Sequence, residues 1–152
     1  MNRTIAMLAT VTLLGLSPAL WAGPVEEVAE IAKPRLRMLE EGNLDGYMVA
    51  YADNAVFQSA LSPFRIEGKE AIRAHLAQVI DQFPKRRILP RQPVMRAFGN
   101  DLVVQNGYGV LYLTDQDDEM QTVFTRSSVT WARIGGSWRI VDQHTSRLPT
   151  GD

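Results

Sequence analysis

The sequence predicts an α+β fold, with helices in its first half and a sheet of long antiparallel strands in its second. Three observations carry this. Apolar residues recur chiefly at helical spacing up to Phe83 and at every second residue beyond it. Pro84 stands at the change of period. Gly135 and Gly136 separate two strand-like runs, the composition of a two-residue hairpin turn. Elements in that order pack helices against one face of a curved sheet.

Val25 to Glu41 puts Val28, Ile31 or Ala32, Leu36 and Leu39 on one helical stripe. Pro34 lies inside it, where a proline costs on the order of 3 kcal/mol, so a kink or a restart is expected. Gly42 stops this helix and Asn43 caps a short one over 44–53, with Leu44, Tyr47, Met48 and Tyr51 on one side. Residues 55–60 read as a strand and 61–68 as a turn with a second short strand. Gly68 then opens a third helix over 69–83, whose Ile72, Leu76, Val79, Ile80 and Phe83 make a core-facing stripe. Residues 86–99 are extended, and Pro90 and Pro93 confine them to a sheet edge or to bulges. Residues 101–114, 119–134 and 137–148 supply the remaining strands.

Of the 152 residues, 45 % are apolar and 22 % charged, enough for one domain with a core. A formal net charge of −1 excludes nucleic acid as the expected partner. The absence of cysteine removes disulfides, thiolate metal sites and cysteine nucleophiles together. Arg3, the uncharged run Ile5 to Leu16 and the small-residue segment up to Ala22 have the three-part layout of a secretory leader. The run is too short to span a bilayer as a helix. The expectation is therefore a leader over 1–22, cleaved before Gly23, and a single domain over 23–152, periplasmic or secreted and free of the membrane once cut.

No cofactor or metal is expected. Only His75 and His144 are available as nitrogen ligands. His75 sits beside the apolar stripe of its helix and reads as a core-edge residue. Asp115 to Glu119 lacks the alternating oxygen ligands and the glycine of a calcium loop, and reads as a solvated hairpin tip. Lys85, Arg86, Arg87, Arg91 and Arg96 read as charged protection of a sheet edge.

Asp142 and His144 lie two apart on a strand, about 6–7 Å between side chains, a distance a water can bridge. They are the only weak candidates for acid/base catalysis. Strict alternation groups Trp138, Ile140, Asp142, His144 and Ser146 on one side, with Arg139, Val141, Gln143 and Thr145 on the other.

Three stretches carry a family resemblance: Glu40 to Phe57 (EEGNLDGYMVAYADNAVF), Ile66 to Leu76 (IEGKEAIRAHL) and Trp131 to Ser146 (WARIGGSWRIVDQHTS). They resemble the nuclear-transport-factor-2-like superfamily, and within it the SnoaL-like proteins and the association domain of calcium/calmodulin-dependent protein kinase II. The resemblance implies a cone: a curved antiparallel sheet with three N-terminal helices on its concave face. Ketosteroid isomerases share that fold, but Gln58 and Ser59 stand where their catalytic base would be, and neither has a useful pKa. By position, Thr145 and Val129 replace two anion-binding arginines of the association domain, so its carboxylate pocket is not reproduced.

By the same resemblance, the parity of Val141, Gln143 and Thr145 faces the pocket. Trp138, Ile140, Asp142 and His144 then face the convex side, where the fold dimerises, with Arg126 placed to pair with Asp142. A homodimer through the sheet is expected. The aromatic residues Tyr47, Tyr51, Phe57 and Phe64, together with Tyr108, Tyr112 and Trp131, are candidate cavity walls. Thr125, Ser127, Gln143 and Thr145 are candidate hydrogen-bonding groups, and no charged group is committed to the cavity. The cone so lined suits a small hydrophobic or weakly polar ligand. An isomerase, dehydratase or cyclase using His144 or a pocket tyrosine is the competing expectation, and a non-catalytic assembly module a third.

Overall fold

The computed structural model describes residues 22–149. Thus 1–21, almost the whole expected leader, lie outside the described residues. Three helices, α1 (Pro24–Glu40), α2 (Leu44–Met48) and α3 (Lys69–Gln82), pack against a curved, unclosed sheet. Its strands are β1 (Tyr51–Gln58), β2 (Arg65–Glu67), β3 (Lys85–Ala97), β4 (Leu102–Thr114), β5 (Met120–Ile134) and β6 (Ser137–Arg147), in the spatial order β2-β1-β6-β5-β4-β3. Every neighbouring pair is antiparallel except β1 and β6, which run parallel. The sheet is therefore mixed at this one seam, where the last strand returns beside the first.

Helix α1 runs through Pro34 as one element, without the restart that the proline allowed. The ring is exposed, so the hydrogen bond it cannot make is on the water side. The helix begins with Pro24 in its first turn, with Glu26 and Glu27 at the positive end of its dipole. Gly42, at φ +76°, ends it by letting Asn43 N–H reach back to the Met38 carbonyl. The Asn43 side chain then accepts from Gly46 N–H and starts α2. That helix is shorter than its pattern suggested. Tyr51 and Asp53, expected on it, belong to β1.

Within α1, Val28 and Arg35 are the buried positions, whereas Ile31 is 38 % exposed and Ala32 takes its place against the core. The main core joins Val28, Tyr47, Tyr51, Ile72, Trp131 and Ile140, each contributing on the order of 1.5–3 kcal/mol or more of burial. A smaller cluster of Phe83, Leu113 and Val123 closes the end of α3.

Strand β3 lies at the sheet edge and shifts register between Arg91 and Val94, as Pro90 and Pro93 require. Gln92, at φ 46°, turns this bulge. At the other end Gly135 and Gly136, both at positive φ, form the β5–β6 hairpin turn.

A second bulge corrects the strict alternation assumed for the last strand. Trp131 pairs with Ile140, but Thr130 pairs with Asp142, so Val141 is an extra residue on β6. Trp138 and Ile140 consequently point to the core, 4 % and 0 % exposed, while Asp142 and His144 point to the opposite face. The Trp138 indole donates to Glu27 on α1, a carboxylate that also accepts from Arg133. These bonds hold the Glu27 carboxyl below its ordinary pKa, the indole contributing most. Trp138 and Ile140 therefore cannot be dimer contacts.

Candidate functional site

Beyond the bulge, the sheet register stacks side chains in rows across the concave face. Gln105, Val129, Gln143 and Phe57 are mutually paired and form the first row. Gly107, Ser127 and Thr145 form the second, with Ser59 directly after the end of β1. Gly109, Thr125 and Arg147 form the third. Successive rows lie about 6–7 Å apart. Glycine at two adjacent rows of β4 leaves open floor. A Cβ at Gly109 would meet Thr125 Oγ1 at 2.9 Å, and one at Gly107 the Arg91 carbonyl at 3.3 Å.

Over this floor lies a cavity of about 180 Å³. Ala32, Leu36 and Leu39 of α1 and Leu76 and Val79 of α3 supply its apolar walls. The floor adds Gln105, Thr125, Ser127, Gln143 and Thr145. Thr125 is already committed, its hydroxyl donating to the Gly109 carbonyl.

Arg35 enters the cavity from α1 and is 6 % exposed. Its Nη2 donates to Tyr51 Oη at 2.8 Å and to Gln143 Oε1 at 2.9 Å. Tyr51 in turn donates to Gln143 Oε1 at 2.8 Å, closing a triangle. The guanidinium carbon lies 4.0 Å from the Tyr47 ring centre and 4.9 Å from that of Tyr51, so both π faces help to hold the cation. Burial above all, then Tyr47, keeps the Tyr51 phenol well above its ordinary pKa, so it is neutral and supplies no counter-charge. Among the described residues no carboxylate forms an ion pair with Arg35, and its Nε is buried without a partner.

A second polar pair faces the same space. His75 Nε2 lies 2.9 Å from Ser59 Oγ, and that oxygen also accepts from Leu61 N–H. The hydroxyl donates to the ring in one tautomer and accepts in the other. Half-burial lowers the His75 pKa below its ordinary value, leaving the imidazole neutral near pH 7.

The structure brings together Tyr47, Phe57, Thr125, Ser127, Gln143 and Thr145 of the residues expected to line a cavity. Tyr51 and Trp131 lie behind that lining, fully buried, with the Trp131 indole 3.4 Å from Gln105 Oε1. Phe64 does not reach it and is 78 % exposed beyond β1. Tyr108 pairs with Arg126 and Tyr112 with Thr122, one residue out of step with the lining positions, so both rings stand on the opposite face. Tyr108 is nonetheless among the residues lining the cavity, and Tyr112 is not. His144 is exposed on that outer face too, and Arg126 there bonds Ser146 rather than Asp142. Among the described residues no three potential ligands gather to hold a metal ion.

Arg35 overturns the expectation that no charged group enters the cavity. Its one sequence signal is position: it falls seven residues after Val28, on the stripe otherwise given to apolar residues. His75 and Ser59 are 16 residues apart in sequence and carry no spacing signal.

The chain resembles several solved structures over most of its length. A nuclear-transport-factor-2-like protein of unknown function from Pseudomonas putida superposes with a TM-score of 0.71 at 24 % identity, over 80 % of this chain and 84 % of that one. A candidate calcium/calmodulin-dependent protein kinase II association domain from Xanthomonas campestris gives 0.73 at 22 %, over 82 % and 87 %. A candidate dehydratase of the same fold family from Streptomyces avermitilis gives 0.73 at 12 %, over 84 % and 98 %. At these identities the likeness shows the fold alone. No curated protein matches the chain. The SnoaL-like domain model matches residues 28–151, nearly all of the folded part, and the chain therefore belongs to the SnoaL-like domain family.

Proposed function

We propose that this protein binds a small, mostly apolar molecule between α1, α3 and the concave face of the sheet. The carrying observation is the cavity itself: about 180 Å³ of apolar-walled space over a floor with a few hydrogen-bonding groups. An apolar cavity of about 150 Å³ admits benzene, so a single ring with one small substituent is the right scale. Amide chemical-shift perturbation with benzyl alcohol tests this. Shifts should concentrate on rows one and two and on α1, and Ser127→Phe should abolish them. Shifts confined to the outer face would reject the cavity as the site.

A second reading rests on the His75–Ser59 contact inside the cavity. A neutral imidazole held against a hydroxyl is equipped for proton transfer, the step that dehydratases and isomerases need. This seat replaces His144, which faces away from the cavity. The check is deuterium exchange at the methyl group of acetophenone in D2O. Catalysed exchange that disappears in His75→Gln supports an enzyme, and exchange at the buffer rate leaves only binding.

We also propose that the protein is exported and forms a dimer through the outer face of the sheet. Met120 (68 % exposed), Tyr108 (50 %) and Phe124 (48 %) share that face and supply apolar area in place of Trp138 and Ile140. A mature N-terminus near Gly23 and a mass twice the monomer by light scattering are the expected results. Intact Met1 in the cytoplasm, or a clean monomer at micromolar concentration, would contradict them.

A further inference from the structure

We infer that the molecule held in this cavity is a small carboxylate, its anionic head on Arg35 and its apolar body over Gly107 and Gly109. The inference rests on the binding reading above and adds the charge of the ligand.

Among the described residues, three arginines, Arg35, Arg86 and Arg91, line the cavity, and no aspartate or glutamate does. Arg86 is spoken for: its guanidinium donates to the Leu39 and Phe83 carbonyls. Arg35 is not. A guanidinium stays charged at every physiological pH, and leaving such a charge buried and unpaired is costly. The Tyr47 and Tyr51 faces and two neutral oxygens offset part of that cost. They do not supply negative charge, because burial keeps the Tyr51 phenol protonated.

The donors also have a direction. Both hydrogen bonds of Arg35 leave from Nη2, and Nε is closed off by its neighbours without a partner, so Nη1 is the guanidinium nitrogen left to meet a ligand. A charge-assisted hydrogen bond from that N–H to a carboxylate oxygen is roughly twice as strong as a neutral one, which favours an anionic head over a hydroxyl there. The walls argue against a bare inorganic anion. Leu36, Leu39, Leu76 and Val79 offer it nothing, yet they suit a ring or short chain carrying a single charge. One row further, about 6–7 Å from Gln143, lie Ser127, Thr145 and the His75–Ser59 pair, ready for one hydroxyl or carbonyl on the far side of that body.

Calorimetric titration of the full chain with benzoate, benzyl alcohol and inorganic phosphate is the test. Benzoate should bind at least ten-fold tighter than benzyl alcohol, and an equal concentration of phosphate should not displace it. Arg35→Met should erase this preference. Gln143→Glu keeps the side-chain volume and the hydrogen bonds but supplies an internal counter-ion, so it should weaken benzoate at least ten-fold while leaving the circular dichroism unchanged. If Arg35→Met does not fold, Gln143→Glu and the 15N shift of the Arg35 Nε–H during benzoate titration of the wild type carry the test. An unmoved resonance counts against the assignment. Benzyl alcohol binding as tightly as benzoate would overturn the carboxylate and keep the binding site. Displacement by phosphate would overturn it in favour of an inorganic-anion site. Failure of every probe would overturn the binding reading itself.

Discussion

Arg35 Nη2 lies 2.9 Å from Gln143 Oε1, tying the middle of α1 to β6 across 108 positions of sequence. That oxygen also receives the Tyr51 hydroxyl, so one neutral amide holds two buried donors, one of them charged. Gln143→Ala should therefore destabilise the fold by about 2–4 kcal/mol in chemical denaturation, because it leaves a buried cation with fewer acceptors. In an Arg35→Met background the same change should cost only about 1 kcal/mol. Equal costs in the two backgrounds would mean that the contact carries no coupling.

His75 gives the fold a pH dependence of known sign. Burial lowers its folded-state pKa below the unfolded value of about 6.5, so the unfolded chain takes up the proton first. Its contribution is complete above about pH 6.5 and is lost as pH falls from there toward the folded pKa. Urea midpoints at pH 7.5 and pH 5.5 should differ more for the wild type than for His75→Gln. An identical pH slope in both proteins would remove His75 from the account.

Gly109 keeps the third row open against Thr125. A methyl group there would stand 2.9 Å from Thr125 Oγ1, so Gly109→Ala should lower stability by about 1–2 kcal/mol. Adding Thr125→Ala removes the obstructing oxygen and should recover part of the loss in thermal unfolding. A double variant less stable than the sum of the two singles would place the strain elsewhere.

The extra residue at Val141 puts Trp138 and Ile140, before it, on the same face of the sheet as Gln143 and Thr145, after it. Deleting it would join Ile140 directly to Asp142, keep the Trp131–Ile140 and Thr130–Asp142 pairs as neighbours in a regular ladder, and leave both faces as they are. The deletion variant should therefore keep cooperative unfolding and lose only the packing of the partly buried Val141 against the core, about 1–2 kcal/mol. Loss of the sharp thermal transition would show that the bulge is needed for more than parity, through the local twist it gives the strand.

Much of the fold was written locally. The stripe of Ile72 and Leu76, the prolines at 90 and 93, and the glycine pair at 135 and 136 each specify conformation through their own backbone or spacing. The floor residues Ser127, Gln143 and Thr145 were legible from parity and family resemblance. They were placed correctly because the Val141 bulge precedes Gln143 and Thr145, whereas Trp138 and Ile140, before it, were turned the wrong way.

By itself, then, the sequence determined the order of helices and strands, the family and one polar rim of the cavity, since all of these follow from neighbours in the chain. The tertiary structure decided three things: the face of Trp138, the burial of Arg35, and the meeting of His75 with Ser59. A bulge has no composition of its own; here it meets the demand that an indole reach Glu27 while Gln143 reaches Arg35. A charged residue on an apolar stripe looks like a solvent-facing error until Tyr47, Tyr51 and Gln143, drawn from three other elements, close around it. Those contacts depend on packing between distant segments, which no local pattern encodes.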